Sequence, residues 1–166
     1  MGGFFGVVSK DDCVNDLYFG TDYHSHLGTK RGGMAVLGEG GFKRSIHDIS
    51  NAQFRSKFDG DLPKFRGKKG IGVISDYEDQ PLFISSHLGT YSIITVGVIK
   101  NMEDLVKEAF GKHTTHFSEM SGGEINPTEL VATLINQGSS FVEGITCAQE
   151  MIEGSCSILL LTRDGI

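Results

Sequence analysis

The chain has 166 residues, the length of one domain, and 23 of them are glycine, about 14 % against a usual ~7 %. Only three prolines accompany the glycines, which excludes collagen and argues against a disordered Gly/Pro-rich tract. Fifteen basic residues against 21 acidic ones give a net charge of −6, which disfavours nucleic-acid binding, and no apolar run approaches the ~18 residues of a membrane span. The three cysteines, Cys13, Cys147 and Cys156, show no clustered spacing, so neither a disulfide framework nor a zinc motif is expected. A reduced, cytoplasmic setting fits this usage. The opening Met1-Gly2-Gly3-Phe4-Phe5-Gly6 lacks the basic segment of a signal peptide, and Gly6 stands where myristoylation prefers Ser or Thr.

Phe4 to Val8 is short, apolar and β-prone, and predicts a buried strand. Asp11 and Asp12 then cap a helix with Val14, Leu17 and Tyr18 at helical spacing, running towards His24 and His26. A glycine-rich loop is expected over residues 28–33. Met34 to Leu37 resumes as a strand, Gly38 to Gly41 turns, and Phe42 to Ile46 returns. Ser50 caps a short helix through Phe58, and residues 59–63 form a polar loop. Ile71 to Ser75, Leu82 to Ser85 and Tyr91 to Ile99 are three further strands. Asn101 caps a helix carrying Met102, Leu105, Val106 and Phe110, and a polar loop with His113 and His116 spans residues 111–123. Asn126 at the cap, Pro127 at the first helical position and Glu129 at the capping-box position give the clearest helix start in the chain. Ser140 caps one more helix, with Phe141, Ile145, Ala148 and Ile152 on one face. Ser155 to Thr162 reads as a central strand. Hairpins together with helix pairs favour an α+β layered domain over a doubly wound parallel sheet.

Chemistry is sparse. Gly28, Lys30, Arg31 and Gly32 could bind an anion through backbone N–H groups and two cations, or form a tight turn with solvated cations. The loop matches neither the P-loop nor the GxGxxG pattern. No carboxylate or cysteine is spaced to complete a metal site with His24 and His26 or with His113 and His116, so no metal is expected. His47 and His87 read as ordinary hydrogen-bonded residues. No GxSxG elbow is present. Cys156, in an apolar run, reads as buried and inert.

The order of motifs resembles the N-terminal glutaminase domain of amidophosphoribosyltransferase, the first committed enzyme of purine synthesis. That domain is a class-II glutamine amidotransferase and an N-terminal-nucleophile (Ntn) hydrolase. Met1-Gly2-Gly3-Phe4-Phe5-Gly6-Val7 is similar to the family start, Met-Cys-Gly-hydrophobic-hydrophobic-Gly. Tyr18-Phe19-Gly20, His26-Leu27-Gly28 and Gly33-Met34 resemble Tyr-x-Gly, His-Arg-Gly and Ala-Gly-Ile. Gly70-Ile71-Gly72 and Gln80-Pro81-Leu82 resemble Gly-Ile-Gly-His-x-Arg and Gln-Pro-Phe. Val96-Gly97, Asn101 and Glu103-Asp104-Leu105 resemble the family segment His-Asn-Gly-x-hydrophobic-x-Asn and its Glu-Leu pair. Asn126-Pro127-Thr128-Glu129 resembles Ser-Asp-Ser/Thr-Glu, and Gly154-Ser155-Cys156-Ser157 resembles Gly-Ala-Tyr-Ser before the turn at Asp164-Gly165-Ile166.

The resemblance covers the whole chain and implies a four-layer αββα sandwich. It also implies a pocket whose family-equivalent positions are Gly2, Gly3, His26, Ser75, Val96, Gly97 and Pro127. In the family an N-terminal Cys attacks glutamine with its own α-amino group as base. An Asn side chain and a Gly N–H form the oxyanion hole, and an Arg and an Asp hold the two charged ends of the substrate. Here the nucleophile position is Gly2, the oxyanion Asn aligns with Val96 beside Gly97, the Arg falls near Ile74 or Ser75, and the Asp aligns with Pro127. The expectation is an amidotransferase-like domain over residues 1–166 with no catalytic residues for glutamine hydrolysis and no cofactor. It would be cut short at its C-terminus, joined to a phosphoribosyltransferase domain in a longer chain, and homo-oligomeric. Two other readings stand beside it. One is a non-catalytic ligand-binding or oligomerisation module. The other is an amidotransferase with a relocated nucleophile at Cys13, helped by His24 or His26.

Overall fold

The computed structural model describes residues 2–27, 30–112, 116–121 and 123–166. In chain order the elements are β1 (Gly3–Val8), α1 (Val14–Tyr23), β2 (Arg31–Gly38), β3 (Gly41–Asp48), α2 (Phe54–Phe58), β4 (Lys69–Ser75), β5 (Leu82–Ser86), β6 (Gly89–Ile99), α3 (Met102–Gly111), β7 (Met120–Ser121), β8 (Glu124–Ile125), α4 (Pro127–Ile135), α5 (Phe141–Met151) and β9 (Gly154–Leu161). Single 3₁₀ turns at His24–His26 and Leu62–Lys64 follow α1 and α2. The strands form an antiparallel sheet of order β1-β4-β2-β3, a second of order β5-β6-β9, and a two-residue ribbon of β7 and β8.

The period-2 alternation of each strand sets the layers. In the first sheet, Phe4, Ala35, Leu37, Ile71 and Val73 point one way and meet Ile94, Val96, Leu159 and Leu161 of the second sheet. The alternate residues Phe5, Val7, Met34, Val36 and Ile74 point the other way, onto Val14, Leu17 and Tyr18 of α1 and Phe54 and Phe58 of α2. In the second sheet, Tyr91, Ile93, Ile158 and Leu160 face Leu105 of α3, Leu130, Val131 and Leu134 of α4, and Ala148 of α5. Two sheets back to back, with helices outside both, make the four-layer αββα sandwich of the Ntn-hydrolase type.

Helix α1 packs directly against Gly72 of its sheet. A Cβ placed on Gly72 of β4 would lie 1.9 Å from Thr21 Oγ1. Thr21 is fully buried, and its hydroxyl donates back to the Leu17 carbonyl at 2.7 Å. Glycine at 72 therefore sets the spacing between helix and sheet.

Several polar residues that look like local caps have distant partners instead. Asn126 does cap α4, accepting from Thr128 N at 2.9 Å, and Ser140 caps α5, accepting from Glu143 N at 3.2 Å. Glu129 does not close a capping box. Its buried carboxylate accepts from Ser118 N, Ser118 Oγ and Glu119 N, tying residues 118 and 119 to α4. Asn101 does not cap α3 with its side chain but bridges the Met151 carbonyl and the Glu153 N–H. Ser50 turns back onto Asp48, and the short helix starts later, at Phe54. Among the described residues β9 pairs only with β6, so the central strand of the second sheet is β6, not the run from Ser155. Residues 31–33, expected in a loop, lie in β2. Gly28 and His113 lie outside the described residues.

The turn after α2 is pinned to β3 through Asp61, which is 8 % exposed. Lys64 Nζ donates to it at 2.6 Å and His47 Nε2 at 2.5 Å, and these bonds hold its carboxyl down at about 2. A carboxyl held below its unfolded value stabilises the fold above pH ~4, and that contribution fades as pH falls towards ~2. Asp61→Asn should lower stability by about 1–3 kcal/mol at neutral pH. The difference from the parent chain should shrink in acid. Urea denaturation at neutral pH and near pH 3 checks this, and a deficit that grows in acid would contradict it.

Candidate functional site

Apart from His26, the positions that the resemblance assigns to a pocket fall in two groups, one on each sheet, and residues 76–80 run between them. The first group lies on the first sheet. Gly3 is in register with Ile74 across β1 and β4, which brings Gly2 against the Ile74–Ser75 backbone. A Cβ on Gly2 would lie 2.1 Å from the Ile74 carbonyl oxygen, so no side chain fits there unless backbone moves. The His24 ring packs against Gly3, with Nδ1 2.7 Å from where a Cβ would be. The Ser75 hydroxyl donates to the Glu78 carbonyl at 2.7 Å.

The second group lies on the second sheet. Val96 joins the apolar layer between the sheets, opposite Ser157 of β9. Gly97 follows on β6, and Pro127 is the first residue of α4. The hydroxyls of Thr95 and Thr128 meet at 2.7 Å, fixing the start of α4 to β6.

Gln80 is the link that sequence reasoning did not single out as a site residue. Its Nε2 donates to the Thr95 carbonyl at 3.0 Å, and its Oε1 accepts from Thr95 N at 2.7 Å. The adjacent Asn126 donates from Nδ2 to the Asp79 carbonyl at 2.9 Å and to Ser121 Oγ at 3.1 Å. These side chains are all buried, and each bond engages a polar group that burial would otherwise leave unmatched. The signal available in the sequence was a glutamine directly before a proline at the head of a strand.

Burial pushes the Tyr77 hydroxyl up, with Glu78, Glu124 and Asp76 adding to the shift. The cation Arg31 lies 2.5 Å from Asp48 and 3.0 Å from Asp79. Lys30 is exposed, and Gly32 is buried within β2. His26 lies on the 3₁₀ turn and lines a different cleft, with Asp22 and Arg55.

Cys13 and Cys156 are poor nucleophiles. Cys13 is fully buried, and burial, with Asp12 adding, raises its thiol to about 11. Burial likewise raises Cys156 to about 11. At neutral pH neither holds appreciable thiolate, the reactive form. Among the described residues no three His, Cys, Asp or Glu side chains gather as metal ligands, and no helix is long and apolar enough to cross a membrane.

No protein-family model and no curated protein matches the chain. Solved structures do. A glutamine phosphoribosylpyrophosphate (PRPP) amidotransferase from B. subtilis, complexed with ADP and GMP, matches 98 % of this chain with a TM-score of 0.80 and 20 % identity. A structure described as the allosteric regulatory enzyme of purine biosynthesis matches 96 % of it, also with a TM-score of 0.80 and 20 % identity. This chain spans 35 % of the length of each. The likeness is one of fold, and it extends over nearly the whole chain.

Proposed function

We propose that this chain is the glutamine-amidotransferase-like domain of an amidophosphoribosyltransferase homologue, keeping the αββα frame and lacking the glutaminase reaction. The observation that carries the second half is Gly2. Amide hydrolysis by this class of site needs a nucleophile at that position. Gly2 has none, and the Ile74 carbonyl occupies the space where a side chain would begin.

The surrounding positions support the same reading. Val96 offers an aliphatic side chain, turned into the apolar layer, where an oxyanion donor is needed. The Ser75 hydroxyl is engaged with Glu78 and cannot replace a guanidinium, which holds a carboxylate with two parallel N–H bonds. Pro127 has no charge to offer an α-amino group.

In this reading the domain belongs to a longer, cytoplasmic and homo-oligomeric protein whose phosphoribosyltransferase part takes free ammonia. The purified chain incubated with glutamine should release no ammonia above background. A kcat of ~1 s⁻¹ or more, ordinary for an enzyme, would overturn the proposal. Gly2→Cys should not restore turnover, because the new Cβ meets the Ile74 carbonyl and the oxyanion donor and both clamps remain missing.

A further inference from the structure

A sheet edge that carries no charge, no proline and no cover is a template for another strand. The two large sheets have four edges, and three of them are guarded. β3 carries Lys43, Arg44 and Asp48, all exposed. β5 is only five residues long and begins just after Pro81. It is also tied to β3 by Arg44, which donates to the Pro81 carbonyl at 2.8 Å and rests over the Phe83 ring. On β9 the Gln149 carboxamide donates to the Cys156 carbonyl at 2.8 Å and takes up that backbone group. The fourth edge, β1, has no such guard.

β1 reads Gly3-Phe4-Phe5-Gly6-Val7-Val8, without a charge, a proline or a bulge. Among the described residues it pairs only with β4, and no other backbone bond reaches residues 3–8. In an antiparallel ladder alternate residues turn their N–H and C=O groups away from the partner, so half of the backbone groups of β1 point outward. Gly6 is exposed, and Val8 is 58 % exposed at the end of the strand. Phe4, Gly6 and Val8 alternate onto the face towards the second sheet, and Phe5 and Val7 onto the helix face.

Unpaired backbone calls for another strand, and the sequence of β1 is complementary to itself. A two-fold axis normal to the sheet through Gly6 keeps each face of the strand on its own side, which the register of a half-buried strand requires. It sets Phe4 opposite Val8 of the second copy, Phe5 opposite its Val7, and the two Gly6 residues opposite each other. Each aromatic ring then meets a β-branched side chain, a favourable cross-strand pair, and the exposed Val8 is covered. We infer that β1 is a self-association edge, at which two copies of this chain join their first sheets antiparallel into one continuous sheet. The inference is independent of the proposed loss of glutaminase chemistry, since a chain with that activity would pair alike.

The test is sedimentation of the purified chain from ~1 µM to ~1 mM, with amide hydrogen exchange at both ends of that range. A ladder this short should give a dimer with a Kd on the order of 10–100 µM. Alternate amides within residues 3–8 should gain at least ~10-fold protection at the high concentration, while those of β3 and β9 should not change. Val8→Lys should weaken the dimer at least ~10-fold with little change in Tm, because Val8 is exposed and a charge on an edge opposes strand addition. Val142→Lys, on α5 and 78 % exposed, should leave the dimer unchanged. A chain still monomeric at ~1 mM, added protection that lies outside residues 3–8, or a dimer indifferent to Val8→Lys would overturn the proposal. The exchange measurement on the parent chain decides the matter even where a variant fails to fold.

Discussion

Gln80→Ala should cost about 2–6 kcal/mol, the loss expected when two buried backbone groups are stripped of their partners at about 1–3 kcal/mol each. The reason lies in the register of β5 on β6. Leu82 is opposite Ile93, and the ladder stops there. Extended by two residues it would set Gln80 opposite Thr95, but Pro81 intervenes and has no N–H to continue the ladder. The Gln80 carboxamide takes over, offering Thr95 one donor and one acceptor in place of a backbone pair. Gln80 is 1 % exposed and Thr95 8 %, so water cannot readily substitute. For a chain of this size the midpoint of thermal unfolding should fall by ~5–15 °C. Hydrogen exchange at the Thr95 amide should accelerate. Gln80→Glu retains the acceptor, loses the donor and buries a charge, so it should be no better than alanine. A midpoint within a degree or two of the parent chain for Gln80→Ala would show that the clamp contributes little.

Gly72→Val is the second large effect. A Cβ at 72 would be 1.9 Å from Thr21 Oγ1 and 3.0 Å from Thr21 Cβ, and the γ-methyls of valine would reach further into α1. The helix must lift from the sheet, separating Leu17 and Tyr18 from Met34, Val36 and Ile74. Overpacking alone costs about 1–3 kcal/mol, and the opened core raises this to about 3–5 kcal/mol. The cause can be isolated with Gly72→Ala. Because the closest atom is the Thr21 hydroxyl, Thr21→Ala should recover part of the loss, a coupling a double-mutant cycle measures directly. Simple additivity of the two substitutions would mean that the helix does not bear on residue 72 through Thr21.

The legibility of the fold in the sequence tracks the range of the forces involved. The start of α4 was legible because Asn126 and Pro127 act within a few residues of themselves. The strands were legible because burial on both faces leaves continuous apolar runs such as residues 71–74. Asn101 and Glu129 look like caps because a polar side chain beside a helix start has the same sequence signature whether it bonds locally or at long range, whereas Ser50 bonds locally, to Asp48, ahead of a helix that starts only at Phe54. Only the folded chain brings Met151 and Glu153 to Asn101. The place of β9 in its sheet was hidden too, since an apolar run does not state how many neighbours it has. Of the candidate site, the resemblance points to Gly2, Ser75, Val96 and Pro127 through the order of motifs alone. That the Ile74 carbonyl fills the space beside Gly2, and that Gln80 joins the two halves, depends on contacts between segments far apart in sequence.

The pairing of β1 with β4 also orders events in time. Among the described residues, residues 3–8 pair only with residues 69–74, and β6, already joined to β5 by a hairpin, gains its second neighbour in β9. Each closure carries the entropy of a loop of some sixty residues, roughly 0.6 kcal/mol more for every doubling of its length, and non-local pairings of this kind slow folding. During synthesis the β2–β3 hairpin can form as soon as it emerges, whereas the amino-terminal strand must remain unpaired until β4 has been made. The surroundings of Gly2 are thus among the later features to be assembled, and a substitution in β4 can alter them without touching the first residues of the chain.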